Sequence, residues 1–329
     1  MILGIESTAH TFGVAVCDKG KVLSNVKDMY TTESGGIVPL DSAKHHRECC
    51  DRLLAEALEK AGVSEKNITA IAFSQGPGIA PCLLAGIHFV KKLAKEWKVP
   101  IVPVNHCVAH LEIGRLTGAS DPVLLYASGA NTQIIAYAAG KYRVFGETLD
   151  IGIGNFIDTF AREAGIGFPG GPKIAELASK SKPENYIELP YSIKGMDVAF
   201  SGLQTKLKQM FASGKYKIED LSYSMQETVF AMLIEASERA LAHTGKKELL
   251  LGGGVACNTR LQEMARIMCE ERECKYFCPE RQFLVDNAGM IAFTGEIMLN
   301  AGIKIEGKDI DSLDIMPRER TDDVVVSWK

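Results

Sequence analysis

A β-strand pattern that occurs twice limits the folds available to this chain more than any other feature. Three short apolar runs separated by turns occupy residues 2–26, and a similar series occupies residues 123–147. In each series the first turn contains small polar residues and the second contains a glycine. A shift of 120 residues places Thr8 on Ser128 and Gly20 on Gly140, so both turns keep their spacing. The sequence therefore predicts a duplicated three-stranded unit.

The duplicated unit favours an α/β protein with the actin-like ATPase (ASKHA) fold, in which two duplicated domains surround a nucleotide cleft. In that fold the first turn of each unit directs backbone N–H groups and hydroxyls at phosphates in the cleft. The alternative is a pair of unrelated hairpins. We predict a first domain over residues 1–121 and a second over 122–287, with a C-terminal helix and tail, about 288–329, packing back on the first.

Composition and charge limit the classes of function. The 329 residues suffice for two hydrophobic cores. No apolar stretch approaches the length of a membrane span, and the N-terminus lacks the basic region of a secretory signal. We therefore expect a cytoplasmic protein without a membrane partner, whose nine cysteines are reduced. A net charge of −4 is not typical of a nucleic-acid-binding domain.

Two histidines form the most specific candidate site. His106 and His110 follow a predicted strand and lie one helical turn apart, so both imidazoles could bind one metal ion. An incidental pair is the alternative. The spacing matches half of the zinc-protease motif, but Cys107 stands where the protease has its glutamate base. Direct proteolysis is therefore not expected.

Two oxygen donors could complete the metal site. Asp286 stands at the start of an apolar helix, where it is either an N-cap or a ligand. Tyr126 lies near the end of a predicted strand, where it either packs in the core or faces the cleft. Together with the two histidines they form an N,N,O,O set that suits iron or zinc.

Glycine-rich turns between strands and helices are candidates for phosphate binding. They occupy residues 74–78, 168–172 and 251–258. Such turns allow backbone amides to approach an anion, although a tight turn alone is the usual explanation. Asp158, on a helix shortly after the second unit, either binds ribose hydroxyls or lies on a solvated first turn.

Eight motifs carry a family resemblance, at residues 4–13 (GIESTAHTFG), 75–78 (QGPG), 105–110 (NHCVAH), 126–132 (YASGANT), 167–173 (GFPGGPK), 200–203 (FSGL), 252–256 (GGGVA) and 286–288 (DNA). On these motifs the chain resembles, over essentially its whole length, the archaeal type of the universal tRNA threonylcarbamoyladenosine synthesis family. The archaeal members are the catalytic subunit of the KEOPS complex.

The resemblance implies transfer of a threonylcarbamoyl group from threonylcarbamoyl-AMP to N6 of the adenosine 3′ of the anticodon in ANN-decoding tRNAs. It implies one divalent transition metal, with iron expected and zinc the alternative, and an adenylate or ATP ligand. By position, the metal ligands would be His106, His110, Tyr126 and Asp286. The adenylate would contact Tyr126, Ala127, Ser128, Gly129, Ala130, Asp158, Gly171 and Asn258. No covalent nucleophile is expected.

The resemblance also implies two protein partners. A small dimerising subunit would contact the N-terminal region, and a small kinase-like ATPase, fused at the C-terminus in some archaea, would accompany the enzyme.

Three residues of this chain differ from the family pattern. Ala130 replaces a family glycine, Ala175 replaces a glutamate although Glu176 is adjacent, and Leu40 replaces an arginine. The alternatives are an actin-like sugar kinase or ATPase, which needs no histidine pair, and a non-catalytic nucleotide-dependent scaffold.

Overall fold

The computed structural model describes residues 1–32 and 36–329. The strands are β1 Ile2–Glu6, β2 Thr11–Asp18, β3 Lys21–Met29, β4 Ala70–Gly76, β5 Ile101–Asn105, β6 Val123–Ala127, β7 Thr132–Ala138, β8 Lys141–Glu147, β9 Ile193–Lys194, β10 Asp197–Val198, β11 Glu248–Gly252 and β12 Lys275–Phe277. The α-helices are α1 Pro39–Ala61, α2 Ala80–Trp97, α3 His106–Glu112, α4 Ile153–Glu163, α5 Gly171–Ala178, α6 Ser201–Ala212, α7 Ile218–Thr244, α8 Thr259–Glu271, α9 Arg281–Leu284, α10 Ala288–Asn300 and α11 Asp309–Ser312.

The two large sheets have the same connectivity. The first has the strand order β3-β2-β1-β4-β5, and the second, read in the same direction, has the order β8-β7-β6-β11-β12. In each sheet the first three strands form an antiparallel meander, and the other two run parallel to its first strand. The duplicated three-stranded unit predicted from the sequence is therefore confirmed, and β6 to β8 span residues 123–147, as predicted.

Helices α1 and α2 cover one face of the first sheet, and α10 covers the other. The α10 side packs very closely because small residues meet there. A Cβ atom on Gly4 would lie 2.5 Å from the Ala288 carbonyl oxygen, so a larger residue would separate β1 from α10. This helix starts at Ala288, because the Asn287 side chain accepts from the Met290 amide and caps α10.

Helix α3 lies between the two sheets. Ala109 and Ile113 pack with residues of the first sheet and α10, whereas Val108 and Leu111 pack with Leu124 and other residues of the second sheet. The apolar side chains on two faces of this short helix thus join both sheets. The histidines of α3 are consequently buried where the two halves of the chain meet.

Helices α4 to α7 lie between β8 and β11 and form the core cluster of the second half. The nine cysteines are all free. None of the helices within the described ranges is long and apolar enough to span a bilayer. The division into domains at residue 121 remains a prediction; the turn that contains this residue precedes β6.

Candidate metal centre and nucleotide cleft

His106, His110 and Asp286 converge in one cluster. Each offers a ligand atom, and these atoms lie within 4.8 Å of one another. The Asp286 Oδ1 atom is 3.3 Å from His106 Nε2 and 3.7 Å from His110 Nε2. Asp286 precedes α10 without capping it, because Asn287 takes that role. Of the two readings of Asp286, the structure therefore excludes the N-cap.

Burial and charge act in opposite directions on the two imidazoles. Burial lowers the pKa of His106, but Glu6 and Asp286 outweigh this effect and raise that pKa well above its usual value. Burial keeps the pKa of His110 below its usual value. Burial opposes ionisation of Asp286, but the neighbouring imidazoles of His106 and His110 hold the pKa of that carboxyl well below its usual range. The cluster therefore presents an ionised carboxylate beside two imidazoles.

Glu6 is a functional residue that the sequence reasoning missed. This carboxylate is fully buried at the end of β1. Its Oε2 atom lies 3.0 Å from His106 Nδ1, and its Oε1 atom accepts from the Thr8 amide at 2.7 Å. An ionised carboxylate can only accept, so the Nδ1–H group donates to it and Nε2 faces Asp286. The sequence signal that could have identified Glu6 is its position, since this acid directly follows the apolar run 2–5 and precedes the first turn.

The polar atoms around the cluster fit a metal ion. Neither ring nitrogen of His110 has a hydrogen-bond partner within the described chain, and neither has the buried hydroxyl of Tyr126. The two rings pack with their centroids 4.9 Å apart. Leaving such groups unpaired costs about 1–3 kcal/mol each. An ion bound by one His110 nitrogen and by the Tyr126 oxygen would remove part of that cost.

The first turn of the second unit begins directly after Ala127, the last residue of β6. The Ser128 amide donates to the Asn131 carbonyl at 2.9 Å, and the Ser128 carbonyl accepts from the Gly154 amide at 3.0 Å. A Cβ atom on Gly154 would lie 2.7 Å from the Gly129 Cα atom, so α4 supports the turn by close backbone packing. Gly253 likewise approaches the Ala127 carbonyl, and a Cβ atom there would lie 2.3 Å from it.

A second loop contacts both Asp158 and the first turn of the first unit. The Asp158 Oδ1 atom accepts from the Gly170 amide at 2.8 Å, and burial raises the pKa of Asp158. In the same loop the ring of Phe168 meets the ring of His10 edge-on, at 5.5 Å between centroids. Gly171 has open space where a side chain would be. The loop therefore connects the first turn of the first unit with Asp158.

Comparison with known proteins places these features in a family. The family model described as TsaD, tRNA N6-adenosine threonylcarbamoyltransferase, matches residues 21–293. The chain belongs to this family. It is therefore an enzyme of the threonylcarbamoyltransferase class, and the resemblance inferred from the motifs is confirmed. A tRNA N6-adenosine threonylcarbamoyltransferase from Thermococcus kodakarensis is 54% identical over 326 residues, covering 99% of each chain.

Two further comparisons concern architecture. A probable bifunctional tRNA threonylcarbamoyladenosine biosynthesis protein from Methanosarcina mazei is 50% identical, over 99% of this chain and 59% of that protein. The structure of full-length HypF in its phosphate- and nucleotide-bound form matches with a TM-score of 0.60 at 12% identity, covering 90% of this chain and 55% of that one. At this identity the match concerns the fold alone, and it confirms the actin-like fold.

Some candidate residues of this threonylcarbamoyltransferase family member are engaged elsewhere. The Asn258 side chain caps α8 through the Arg260 amide and donates to Gln226 at 2.8 Å. In the turn at residues 74–78, the Gly78 amide donates to the Pro317 carbonyl at 3.1 Å. The glycines of that turn thus serve close backbone packing, which was the alternative to phosphate binding.

The three departures from the family pattern lie in different surroundings. Ala130 is exposed, and so is Leu40 on α1. Glu176, next to Ala175, is exposed on α5 and its carboxylate pairs with Lys180 at 3.0 Å. None of the three is among the residues of the candidate metal cluster, which are His106, His110 and Asp286.

Proposed function

We propose that this chain transfers a threonylcarbamoyl group from threonylcarbamoyl-AMP to N6 of the adenosine 3′ of the anticodon in ANN-decoding tRNAs. One observation carries the proposal beyond family membership. Tyr126, packed against His110, lies two residues before Ser128, so the metal cluster and the second unit's turn share one strand end. A donor whose phosphate rests on that turn would have its acyl group beside the cluster.

The metal ligands we propose are His106, His110, Tyr126 and Asp286, holding one divalent ion, iron or alternatively zinc. When bound, the metal would supply Lewis-acid polarisation of the carbamoyl and phosphate oxygens. Glu6 would keep the His106 ring oriented through its Nδ1–H group. The thiol of Cys107 is not among the proposed ligands, and burial raises its pKa, which keeps it protonated.

The adenylate contacts we propose are Tyr126, Ala127, Ser128, Gly129, Ala130, Asp158, Gly171 and Asn258. Gly129 and Ala130 are exposed and would present backbone groups to the phosphate. Asp158 would accept from the ribose hydroxyls through the oxygen that Gly170 does not use. Asn258 would contribute only if its amide exchanged its bond to Gln226 for one to the ligand.

The chemistry requires positioning more than a nucleophilic side chain. The N6 atom of adenosine attacks the carbamoyl carbon, an N–C bond forms, and the C–O bond of the carbamoyl-phosphate anhydride breaks. AMP leaves with the bonding electrons, and the amine loses one proton. A weakly nucleophilic aryl amine gains most from being held in contact with the carbonyl carbon. The rigid turn and the buried cluster provide two fixed points for the donor.

The test is a reconstitution with unmodified tRNA. Threonine, bicarbonate, ATP and the companion proteins are incubated with and without this chain, and the nucleosides are analysed by mass spectrometry. We expect threonylcarbamoyladenosine only when the chain is present, at the adenosine 3′ of the anticodon. Equal modification without the chain would overturn the proposal. Phosphorylation of a sugar by the chain would favour the kinase alternative.

We also propose that the enzyme works in the cytoplasm with tRNA and two protein partners. A small dimerising subunit would bind the N-terminal region, where Val38, Leu40 and Leu84 expose apolar side chains. A small kinase-like ATPase, implied by the family resemblance, would be the second partner; the bifunctional relative from Methanosarcina mazei is longer than this chain, which covers 59% of it. Partners of this kind would supply positive charge for tRNA that a chain of net charge −4 lacks.

A further inference from the structure

The last 17 residues, Leu313–Lys329, contain one 3-10 turn at Thr321–Asp323 and contact both sheets; this segment is here called the C-terminal strap. It begins against the first sheet, where the Met316 amide donates to the Gln75 carbonyl at 2.9 Å. A Cβ atom on Gly76 would lie 1.9 Å from the Met316 carbonyl oxygen, so the strap lies in van der Waals contact with that backbone. The strap ends on the second sheet, where Val326 is buried in the cluster that contains Tyr142.

The middle of the strap meets the start of α3. The Glu319 Oε2 atom accepts from Asn105 Nδ2 at 2.8 Å. Asn105 is the N-cap of α3, and its Oδ1 atom accepts from the Cys107 and Val108 amides at 3.0 and 3.1 Å. Because the amide group is planar, fixing Nδ2 also fixes the direction of Oδ1. Glu319 therefore orients the cap of the helix that begins with His106.

The end of the strap meets the last residue of α3. Trp328 Nε1 donates to Glu112 Oε1 at 2.8 Å, and the hydroxyl of Tyr142 donates to the same oxygen. Glu112 is fully buried and its other oxygen pairs with Arg115 at 2.6 Å. A helix of seven residues is too short to be stable alone, so contacts at its ends have a large influence on its position.

We propose that the C-terminal strap positions the metal ligands, with Glu319 and Trp328 holding the two ends of α3 so that His106 and His110 face Asp286. Glu319 and Trp328 are positioning residues that act through Asn105 and Glu112. The inference rests on the proposed metal role of the cluster. Its structural part, that the strap orders α3, can be tested on the metal-free protein.

Four variants of the full chain separate the hydrogen bonds from general stability. Glu319→Ala removes the acceptor for Asn105, whereas Glu319→Gln keeps an oxygen at the same place. Trp328→Phe keeps an aromatic ring but removes the N–H donor to Glu112. Arg318→Ala is the matched control, since this exposed strap residue takes part in none of the described ion pairs or side-chain hydrogen bonds.

The first measurement is hydrogen exchange of the metal-free protein. Loss of an oriented N-cap is expected to speed exchange of the Cys107 and Val108 amides about tenfold in Glu319→Ala. Glu319→Gln and Arg318→Ala should exchange like the wild type, and exchange in α7 should not change in any variant. Unchanged α3 exchange in Glu319→Ala would overturn the proposal, and so would faster exchange throughout the chain.

The second measurement is Co²⁺ affinity, followed by the visible absorption of the bound ion in competition with a chelator. Glu319→Ala is expected to bind Co²⁺ about tenfold more weakly than the wild type, and the loss of affinity in Trp328→Phe should be smaller. Glu319→Gln should bind Co²⁺ as tightly as the wild type. If Glu319→Gln were as weak as Glu319→Ala, the hydrogen-bond explanation would be wrong. If the wild type bound no Co²⁺, the proposed metal role would fail while the exchange experiment still decided the role of the strap.

Discussion

The first turns of the two meanders occupy equivalent places in equivalent sheets, yet they contribute different groups. At the first turn a side chain is contributed by the last residue of β1, because Glu6 holds His106, and the turn itself supports Glu6 through the Thr8 amide. The turn after β6 consists of small residues and is supported from behind by the backbone of α4 at Gly154. One half of the duplicated fold therefore orients a proposed metal ligand, and the other exposes backbone that would be accessible to a phosphate.

The difference shows how a duplicated architecture can serve one asymmetric reaction. A mixed anhydride has an acyl carbon and a phosphate, and each needs a different kind of contact. The small residues of the second turn leave room for the phosphate, whereas the carboxylate in the first turn would repel it. The two turns should therefore respond to mutation separately, one through metal affinity and the other through nucleotide affinity.

The largest expected effect comes from removing the metal ligands themselves. We expect the double variant His106→Ala/His110→Ala to lose stoichiometric metal and to lower tRNA modification by more than about 100-fold, beyond what outer-shell residues usually contribute. AMP affinity, measured by calorimetry, should remain within a few-fold of wild type. His88→Ala, an exposed histidine on α2, is the control. Full activity of the double variant would mean that the two histidines are not needed for transfer, and the metal role assigned to the first turn would be wrong.

The next effect tests the first turn alone. Glu6→Gln removes the charge that accepts from His106 Nδ1, and we expect about 10–100-fold weaker Co²⁺ affinity with unchanged AMP affinity. Glu296→Gln is a suitable control, because that carboxylate accepts from the Lys19 and Gly20 amides in the other turn of the same meander. A fall in AMP affinity without a fall in Co²⁺ affinity would reverse the roles assigned to the two turns.

The second turn is tested by changing Gly154, the residue of α4 that packs against its backbone. In Gly154→Ala the added Cβ atom would lie 2.7 Å from the Gly129 Cα atom, so the turn must shift. We expect about 1–3 kcal/mol lower stability toward urea and roughly tenfold weaker AMP binding, with Co²⁺ affinity unchanged. Gly146→Ala on β8, with a similar clash at the Met196 carbonyl, should lose stability but keep AMP affinity. Equal loss of AMP affinity in both variants would assign the effect to general destabilisation.

The smallest effect concerns the departure at Ala130. Because this residue is exposed, Ala130→Gly should change stability by no more than about 0.5 kcal/mol. The same difference in binding corresponds to roughly a twofold change in AMP affinity. A gain of tenfold or more would mean that the methyl group crowds the phosphate and that the second turn is less accessible than its exposure indicates.

Much of the fold was predictable because its determinants are local. Short apolar runs of strand length predicted β6 and β7, and the spacing of turn residues revealed the duplication. The histidine pair was visible because helical spacing brings i and i+4 together. Contacts between distant residues were not accessible in this way. Glu6 and His106 are 100 residues apart in sequence, and Asn105 and Glu319 are 214 apart.

Other features could not be predicted because the local sequence fits two different roles. Asp286 and Asn287 are both good N-caps, and only the packing of α10 decides that Asn287 caps while Asp286 turns to the histidines. The glycines at 76 and 78 resemble a phosphate turn in sequence, but they admit the strap and the Thr8 carbonyl instead. Glycine allows both uses, so the pattern alone could not distinguish them.

The most direct test of the account is X-ray absorption spectroscopy at the metal edge of the purified chain, combined with elemental analysis. For the proposed metal site we predict one iron or zinc ion per chain, bound by two imidazole nitrogens and by oxygen donors, without sulfur. The same signature should be absent from His106→Ala/His110→Ala. A sulfur ligand from Cys107, or a wild-type chain that is fully active while holding far less than one ion, would contradict it.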